Sequence, residues 1–189
     1  MTAPVAVPAR RADPRRSADP RRVALALLFA SYLVVLGWLV LWKLHEPFIG
    51  WDSMRSVKLV PFVAAEGFGA SRPSEVLGNV VVFVPFGIYL GLLVRSWSWL
   101  HVVGTVASVS LALEVAQYVL AVGSTDLTDV IANATGGLLG LGVAALVRRR
   151  SGAMAALTWL LVAGTLVMLG AVALLVVMRR MTGLPIGLG

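Results

Sequence analysis

Six polar residues lie within or at the ends of otherwise apolar stretches, and their side chains are of the types that bind cations, accept hydrogen bonds or transfer protons. They are Asn79, Glu114, Gln117, Asp126, Asp129 and Asn133. A carboxylate at the centre of a membrane helix costs roughly 2.5–3.5 kcal/mol on insertion scales, so such residues generally have a function. Their grouping predicts a single polar binding site near one face of a membrane protein.

The spacing of these residues indicates shared helical faces. Glu114 and Gln117 are three residues apart and therefore lie on one side of a helix. A second stripe follows at three- and four-residue steps along the next apolar segment: Asp126, Asp129, Asn133, Gly136 and Gly140. Because the two stripes sit on consecutive helices, we expect their polar ends to meet near the same membrane surface.

The chemistry available to such a group follows from its donor atoms. Carboxylates and amides are ligands for hard cations, so Glu114, Asp126 and Asp129 are candidate ligands for Mg²⁺ or Ca²⁺. A cation held there would bridge to a lipid phosphate or pyrophosphate. The sequence has no cysteine, which excludes disulfides and thiol chemistry. His45 and His101 have no partner at a metal-binding spacing.

The composition indicates that helices in a lipid bilayer position the six residues. Of 189 residues, 59% are hydrophobic and 13% charged, against about 25% charged in typical soluble domains. We predict an all-α, polytopic transmembrane bundle of about five spans in the plasma membrane, each near the ~20 residues that a crossing needs. The predicted spans are residues 23–41, 76–94, 97–122, 130–147 and 153–178.

The distribution of charge predicts the orientation. The net charge is +7, and six arginines precede the first span within a Pro- and Ala-rich segment, residues 1–22, expected to be a disordered cytoplasmic tail. No aromatic residues interleave with these arginines, so nucleic acid is not an expected partner. The positive-inside rule then places the loop 45–75 outside. Arg179 and Arg180 oppose the rule, so the fifth span is also consistent with a tilted or re-entrant helix before the tail 179–189.

Several of these residues also have a purely structural interpretation. The pairs Gly87-x-x-x-Gly91 and Gly136-x-x-x-Gly140 predict close helix–helix packing in lipid. Asp126 is suited to capping the fourth helix, where a negative charge complements the helix dipole. Capping explains one acid, but it does not explain a buried glutamate in the third helix.

The motifs in these segments resemble those of VanZ-like membrane proteins. The run from Glu75 to Leu93 resembles that family's N-x-x-x-F-x-P-x-G segment, and EVAQ and STDLTDVIANATGG resemble its E-x-x-Q and D-x-x-D-x-x-x-N-x-x-G patterns. The likeness spans residues 23–147. Gly123 stands where the family often has an arginine, and Lys58 where it usually has an asparagine, so Lys58 or Arg72 is a candidate substitute cation. The resemblance implies a link to resistance against glycopeptides such as teicoplanin.

These observations leave several functions open. The first is a binder of membrane lipids, in particular the head group of a polyprenyl-linked envelope precursor. The alternative is a membrane enzyme acting on a lipid-linked phosphate through paired carboxylates, although no esterase, phosphatase or protease motif is present, so a non-enzymatic role is favoured. Ion translocation is disfavoured because nothing titratable continues the path across the membrane. A role in helix association alone would leave the six residues purely structural.

Overall fold

The computed structural model describes residues 19–42, 48–50, 56–63, 71–149 and 153–182. Within these ranges the chain forms a helical bundle with one very short parallel strand pair. The elements in order are α1 (Pro20–Trp42), β1 (Ser56–Lys58), α2 (Pro73–Leu93), α3 (Trp99–Leu120), β2 (Ser124–Asp126), α4 (Leu127–Arg148) and α5 (Ala153–Thr182). The predicted all-α bundle with about five helices is confirmed.

Four of the helices, α1 to α4, are long and apolar enough to cross a membrane. In α5, which has 30 residues, the described apolar stretch is Ala155–Gly170. The helix ends differ from the ends of the predicted spans by up to four residues. Residues 20–22 were assigned to the tail but belong to α1, and α4 begins at Leu127 rather than Val130. Residues 1–18 and 183–189 of the predicted tails lie outside the described residues, as do parts of the loop 45–75.

Helices α2 and α4 form the closest contact of the bundle. A side chain at Gly87 would overlap the backbone of Gly137, and one at Gly140 would overlap the carbonyl of Val84. Gly136 faces Val80 in the same way, and Gly91 faces Ala144. All four glycines predicted to mediate packing therefore lie in the α2–α4 contact. Gly87, Gly136 and Gly140 lie against the backbone of the other helix, an approach that only a residue without a Cβ permits, and Gly91 lies against the Ala144 side chain.

An aromatic cluster joins α1 to α2. Phe29 stacks on Tyr89 with a ring-centroid distance of 5.2 Å, and Phe86 meets Phe29 edge-on at 5.2 Å. The Tyr32 hydroxyl donates to the Val82 carbonyl at 2.6 Å, one turn before the helix-interior Pro85. The rings supply packing area, while the buried hydroxyl finds a backbone acceptor.

Helix α5 is attached to this core by one buried polar contact and by an apolar face. The Tyr89 and Thr165 hydroxyls are 2.7 Å apart, and Leu157 and Leu161 lie buried on the same side of α5. The opposite side carries Trp159 and Leu160, both largely exposed. The exposure of large apolar side chains along a helix is expected where lipid is the solvent.

The two strands fasten the loop before α2 to the start of α4. β1 and β2 pair in parallel, with Lys58 opposite Asp126. The loop is further held by the Gly50 N–H, which donates to the Leu120 carbonyl at 2.8 Å. The sequence did not predict this pairing, since a three-residue strand has no detectable periodicity and its partner lies 68 residues away.

Candidate functional site

A small polar cavity lies between the ends of α1, α2, α3 and α4. Its volume is about 70 Å³. Its walls are formed by Leu39, Val40, Asn79, Val82, Glu114, Gln117, Asp129 and Asn133. The structure therefore brings together five of the six polar residues singled out in the sequence, and it leaves out Asp126.

Two amide side chains on the cavity wall have buried oxygen atoms without a partner among the described residues. Gln117 donates through Nε2 to the Val40 carbonyl at 2.9 Å, and Asn133 donates through Nδ2 to Ser110 Oγ at 2.8 Å. Their Oε1 and Oδ1 atoms make no hydrogen bond within the described part of the chain. Each buried acceptor of this kind costs about 1–3 kcal/mol when left unsatisfied, so the cavity is suited to a group that donates hydrogen bonds.

Glu114 is 1% exposed and connects the cavity to the start of α4. Its Oε2 atom accepts the backbone N–H of Asp126 at 3.0 Å, and its backbone carbonyl accepts Thr125 Oγ1 at 3.1 Å. The carboxylate is thus fixed by a backbone group of the next helix. This contact holds the two polar stripes against each other and explains why a carboxylate occupies this buried position.

Asp126 belongs to a separate buried cluster that closes the loop over the bundle. Its Oδ1 accepts the Thr128 N–H at 2.8 Å, which makes Asp126 the N-cap of α4. Its Oδ2 accepts Ser71 Oγ at 2.8 Å and Lys58 Nζ at 3.1 Å, and Lys58 Nζ also donates to Ser71 Oγ at 2.7 Å. The structural interpretation of Asp126, that it caps the helix, is the one its contacts support.

The environment of Asp126 favours its charged form. Burial raises the pKa of the carboxyl, but the hydrogen bonds from Thr128, Ser71 and Lys58 outweigh burial, and the pKa lies below its usual value of 3.8. An ionised Asp126 paired with Lys58 adds no net charge to this end of the bundle. Of the two cations considered in the sequence, Lys58 is paired with Asp126, whereas Arg72 lies exposed beside the start of α2.

The predicted three-carboxylate cation site is not supported by these contacts. Glu114 and Asp129 line the cavity, but the Asp126 side chain is held by Lys58, Ser71 and Thr128 outside it. Among the described residues, no group of three or more His, Asp or Glu side chains is placed to hold a metal ion.

The sequence did not predict Ser110, Ser71 or Thr128 as members of these clusters. Ser110 could have been predicted, since it precedes Glu114 by four residues and so lies on the same helical face. Thr128 had a weaker signal, because a residue two positions after an N-cap aspartate commonly donates its N–H to that side chain. Ser71 had none, because its contact with Asp126 depends on how the loop folds back.

Together, these features define a polytopic membrane protein with an acceptor-rich cavity near one end of its helices. The VanZ/LLP1 family model matches residues 29–148. Protein VanZ from Enterococcus faecium is 40% identical over 116 residues, which is 60% of this chain and 69% of that protein. The chain belongs to the VanZ/LLP1 family. No solved structure matches the chain.

Proposed function

We propose that this protein acts in the plasma membrane in resistance to glycopeptides of the teicoplanin type, by binding a donor-bearing part of a polyprenyl-linked envelope precursor in its polar cavity. Membership of the family that includes protein VanZ supports the link to resistance. The observation that carries the binding role is the pair of amide oxygens, Gln117 Oε1 and Asn133 Oδ1, which have no partner in the part of the chain that the structure describes and lie in the cavity shared with Glu114 and Asp129.

The donor atoms of the cavity select the chemistry of the ligand. Carboxylate and amide oxygens accept hydrogen bonds, so they bind hydroxyl, amide N–H or ammonium groups and repel a bare phosphate. The sugar hydroxyls and peptide amines of a cell-wall precursor are donors of that kind. Its pyrophosphate would therefore remain outside the carboxylates.

The size of the cavity limits which part of the ligand enters. A volume of about 70 Å³ holds several water-sized groups, since one such group needs only about 10–15 Å³. We therefore infer that the tip of the head group, an ammonium or one or two hydroxyls, is inserted between α1 and α4. The rest of the molecule then lies at the membrane surface, close to the loop that Lys58 and Asp126 fasten.

Teicoplanin susceptibility of a sensitive host expressing the protein is the direct test. Asn133→Leu removes the buried acceptor and fills the same space with an apolar group, so we expect protection to be lost at unchanged expression. Thr165→Val is the matched control, because it also removes a buried side-chain hydrogen bond, but at the distant contact with Tyr89. We expect it to protect as the wild type does.

Native mass spectrometry separates binding from a general loss of protein. The wild type purified in mild detergent is incubated with a polyprenyl-linked disaccharide precursor, and adducts are compared with those of Asn133→Leu and Thr165→Val. An adduct on the wild type and the control, but not on Asn133→Leu, supports the proposal. Full protection by Asn133→Leu, or equal adducts on all three proteins, would refute it.

A further inference from the structure

A second and larger opening lies at the opposite, arginine-rich end of the bundle. It has a volume of about 910 Å³ and lies between the first turns of α1, the end of α2 and the first half of α5. Its lining is Asp19, Arg21, Arg22, Ala24, Leu25, Leu28, Leu92, Arg95, Ala155, Thr158, Trp159 and Val162. We call this opening the arginine crevice.

The polar part of the crevice carries an excess of positive charge. Among the described residues that line the crevice, Arg21, Arg22 and Arg95 are accompanied by one carboxylate, Asp19, whose Oδ1 already accepts the backbone N–H of Arg21 at 3.0 Å. The Arg22 guanidinium donates to the Leu93 carbonyl at 3.0 Å, which fixes it beside the C-terminal end of α2. A guanidinium has five N–H donors, so Arg22 retains donors for a bound anion.

Helix geometry adds to this positive field. α1 begins at Pro20 and α5 begins at Ala153, so both helices present the positive ends of their dipoles toward the same end of the bundle. Neither helix end alone would define a site. In combination with three arginines, they favour a ligand with a negative charge.

The remainder of the crevice is apolar. Leu25 and Leu28 of α1, Leu92 of α2 and Val162 of α5 form its walls, and Trp159 stands at its edge with 72% of its surface exposed. Tryptophan at this level is typical of the membrane–water interface. A charged mouth that continues into an apolar slot between two membrane helices matches the two parts of a phospholipid, a charged head group and its acyl chains.

We propose that the arginine crevice binds an anionic glycerophospholipid of the cytoplasmic leaflet, with its phosphate at Arg22 and Arg95 and an acyl chain between α1 and α5. The positive-inside rule places this arginine-rich end at the cytoplasmic surface, where anionic lipids and basic pockets between membrane helices meet. The proposal is independent of the function proposed for the polar cavity, because the two openings share no residue.

The test uses the full chain in detergent, titrated with palmitoyl-oleoyl-phosphatidylglycerol or with phosphatidylcholine of the same acyl chains and observed by native mass spectrometry. The wild type is expected to retain phosphatidylglycerol preferentially. Arg22→Gln/Arg95→Gln should bind it about thirtyfold more weakly, since each basic residue near an anionic lipid contributes about 1 kcal/mol. Arg149→Gln is the charge control, because Arg149 is exposed at the same end but does not line the crevice.

A second pair of variants tests the shape of the site without changing its charge. Ala155→Trp fills the crevice, while Ala156→Trp adds the same group to an exposed neighbour that does not line it. We expect Ala155→Trp to lose phosphatidylglycerol and Ala156→Trp to retain it. Equal retention of the two lipids by the wild type, unchanged binding by the arginine double variant, or full binding by Ala155→Trp would each overturn the proposal.

Discussion

The polar cavity and the arginine crevice differ in charge and in size. The cavity holds carboxylate and amide oxygens around about 70 Å³, and the crevice holds guanidinium groups around about 910 Å³. Among the described residues, the cavity therefore has two buried acceptors that remain to be paired, and the crevice has more cations than carboxylates. Because the cavity is suited to a hydrogen-bond donor and the crevice to an anion, we expect the two sites to bind different chemical groups.

The two sites also differ in how they relate to the family. All residues that line the cavity fall within the matched segment 29–148. In contrast, every crevice residue except Leu92 and Arg95 lies before or after that segment. We infer that the cavity belongs to the common core of the family, whereas the crevice depends on the ends of this particular chain.

The largest expected loss of stability comes from breaking the ion pair between Lys58 and Asp126, which lies at the same end of the bundle as the cavity. Lys58→Met would leave the Asp126 carboxylate buried beside Ser71 without its cation; the two partners' side chains are only 7% and 11% exposed. Removing one partner of a buried pair costs about 3 kcal/mol or more. We expect a markedly lower unfolding temperature in detergent, measured by intrinsic fluorescence.

A double variant separates the ion pair from the rest of the cluster. Lys58→Met/Asp126→Asn removes both charges, and asparagine still caps α4 because it is as good an N-cap as aspartate. We expect it to recover at least half of the stability lost by Lys58→Met. Arg149→Gln removes an exposed cation and should change stability little. An equally unstable double variant would contradict the charge argument.

The next effect concerns the scaffold that supports the cavity. In Gly140→Ala, the new methyl group would overlap the Val84 carbonyl of α2, and overpacking of this kind costs about 1–3 kcal/mol. Gly142→Ala lies on the same helix with nothing within 4 Å of the added Cβ. We expect thermal unfolding to show a loss for Gly140→Ala and no loss for Gly142→Ala. Equal unfolding temperatures would mean that α2 and α4 can move apart to accommodate the methyl group at little cost in stability.

A smaller loss of stability, which arises from the titration of Asp126, is expected when the pH is lowered. The pKa of Asp126 is lower in the folded protein than its usual value of 3.8, so its contribution to stability is complete above that value. The contribution is lost as the pH falls through the folded pKa. The unfolding temperature of the wild type, measured from pH 7 downward, should therefore fall more steeply below pH 3.8 than that of Asp126→Asn. If the unfolding temperatures of the two proteins fell in parallel with pH, the acid sensitivity would not come from Asp126.

The sequence was sufficient for the helices and for most of the cavity, because both depend on local patterns. Apolar length identifies the helices, and polar residues such as Glu114 and Asn133 stand out where lipid makes them costly. The helix boundaries were less certain. Helix α4 begins at Leu127, directly after its N-cap Asp126 and three residues before the predicted start of the span at Val130, since capping competes with hydropathy in deciding where a helix begins.

The contacts of the loop could not be predicted from the sequence, because they join positions far apart in the chain. Lys58, Ser71 and Asp126 meet only when the loop folds over the bundle and β1 pairs with β2. The sequence also could not predict which buried polar atoms of the cavity have no hydrogen-bond partner among the described residues. The sequence names Gln117 and Asn133, but which of their atoms finds a partner depends on the positions of Val40 and Ser110.

The smallest expected effect on stability also tests most sharply whether the cavity is a binding site. Asn133→Leu loses one hydrogen bond with Ser110, and such bonds average about 0.6 kcal/mol in membrane proteins. It also removes a buried acceptor without a partner among the described residues, which offsets part of that loss. We expect its unfolding temperature, measured without ligand, to match that of Thr165→Val within a degree or two.

Equal stability with unequal teicoplanin protection would show that Asn133 is retained for binding rather than for packing, because a structural role would lower both properties together. If Asn133→Leu were instead far less stable than Thr165→Val, its hydrogen bond with Ser110 would be the main contact between α3 and α4 at this depth. The unpartnered oxygen would then reflect only the orientation that this bond imposes on the amide. In that case the polar residues of the cavity would be present because they hold the helices together. The arginine crevice would then be the better-supported binding site of the molecule.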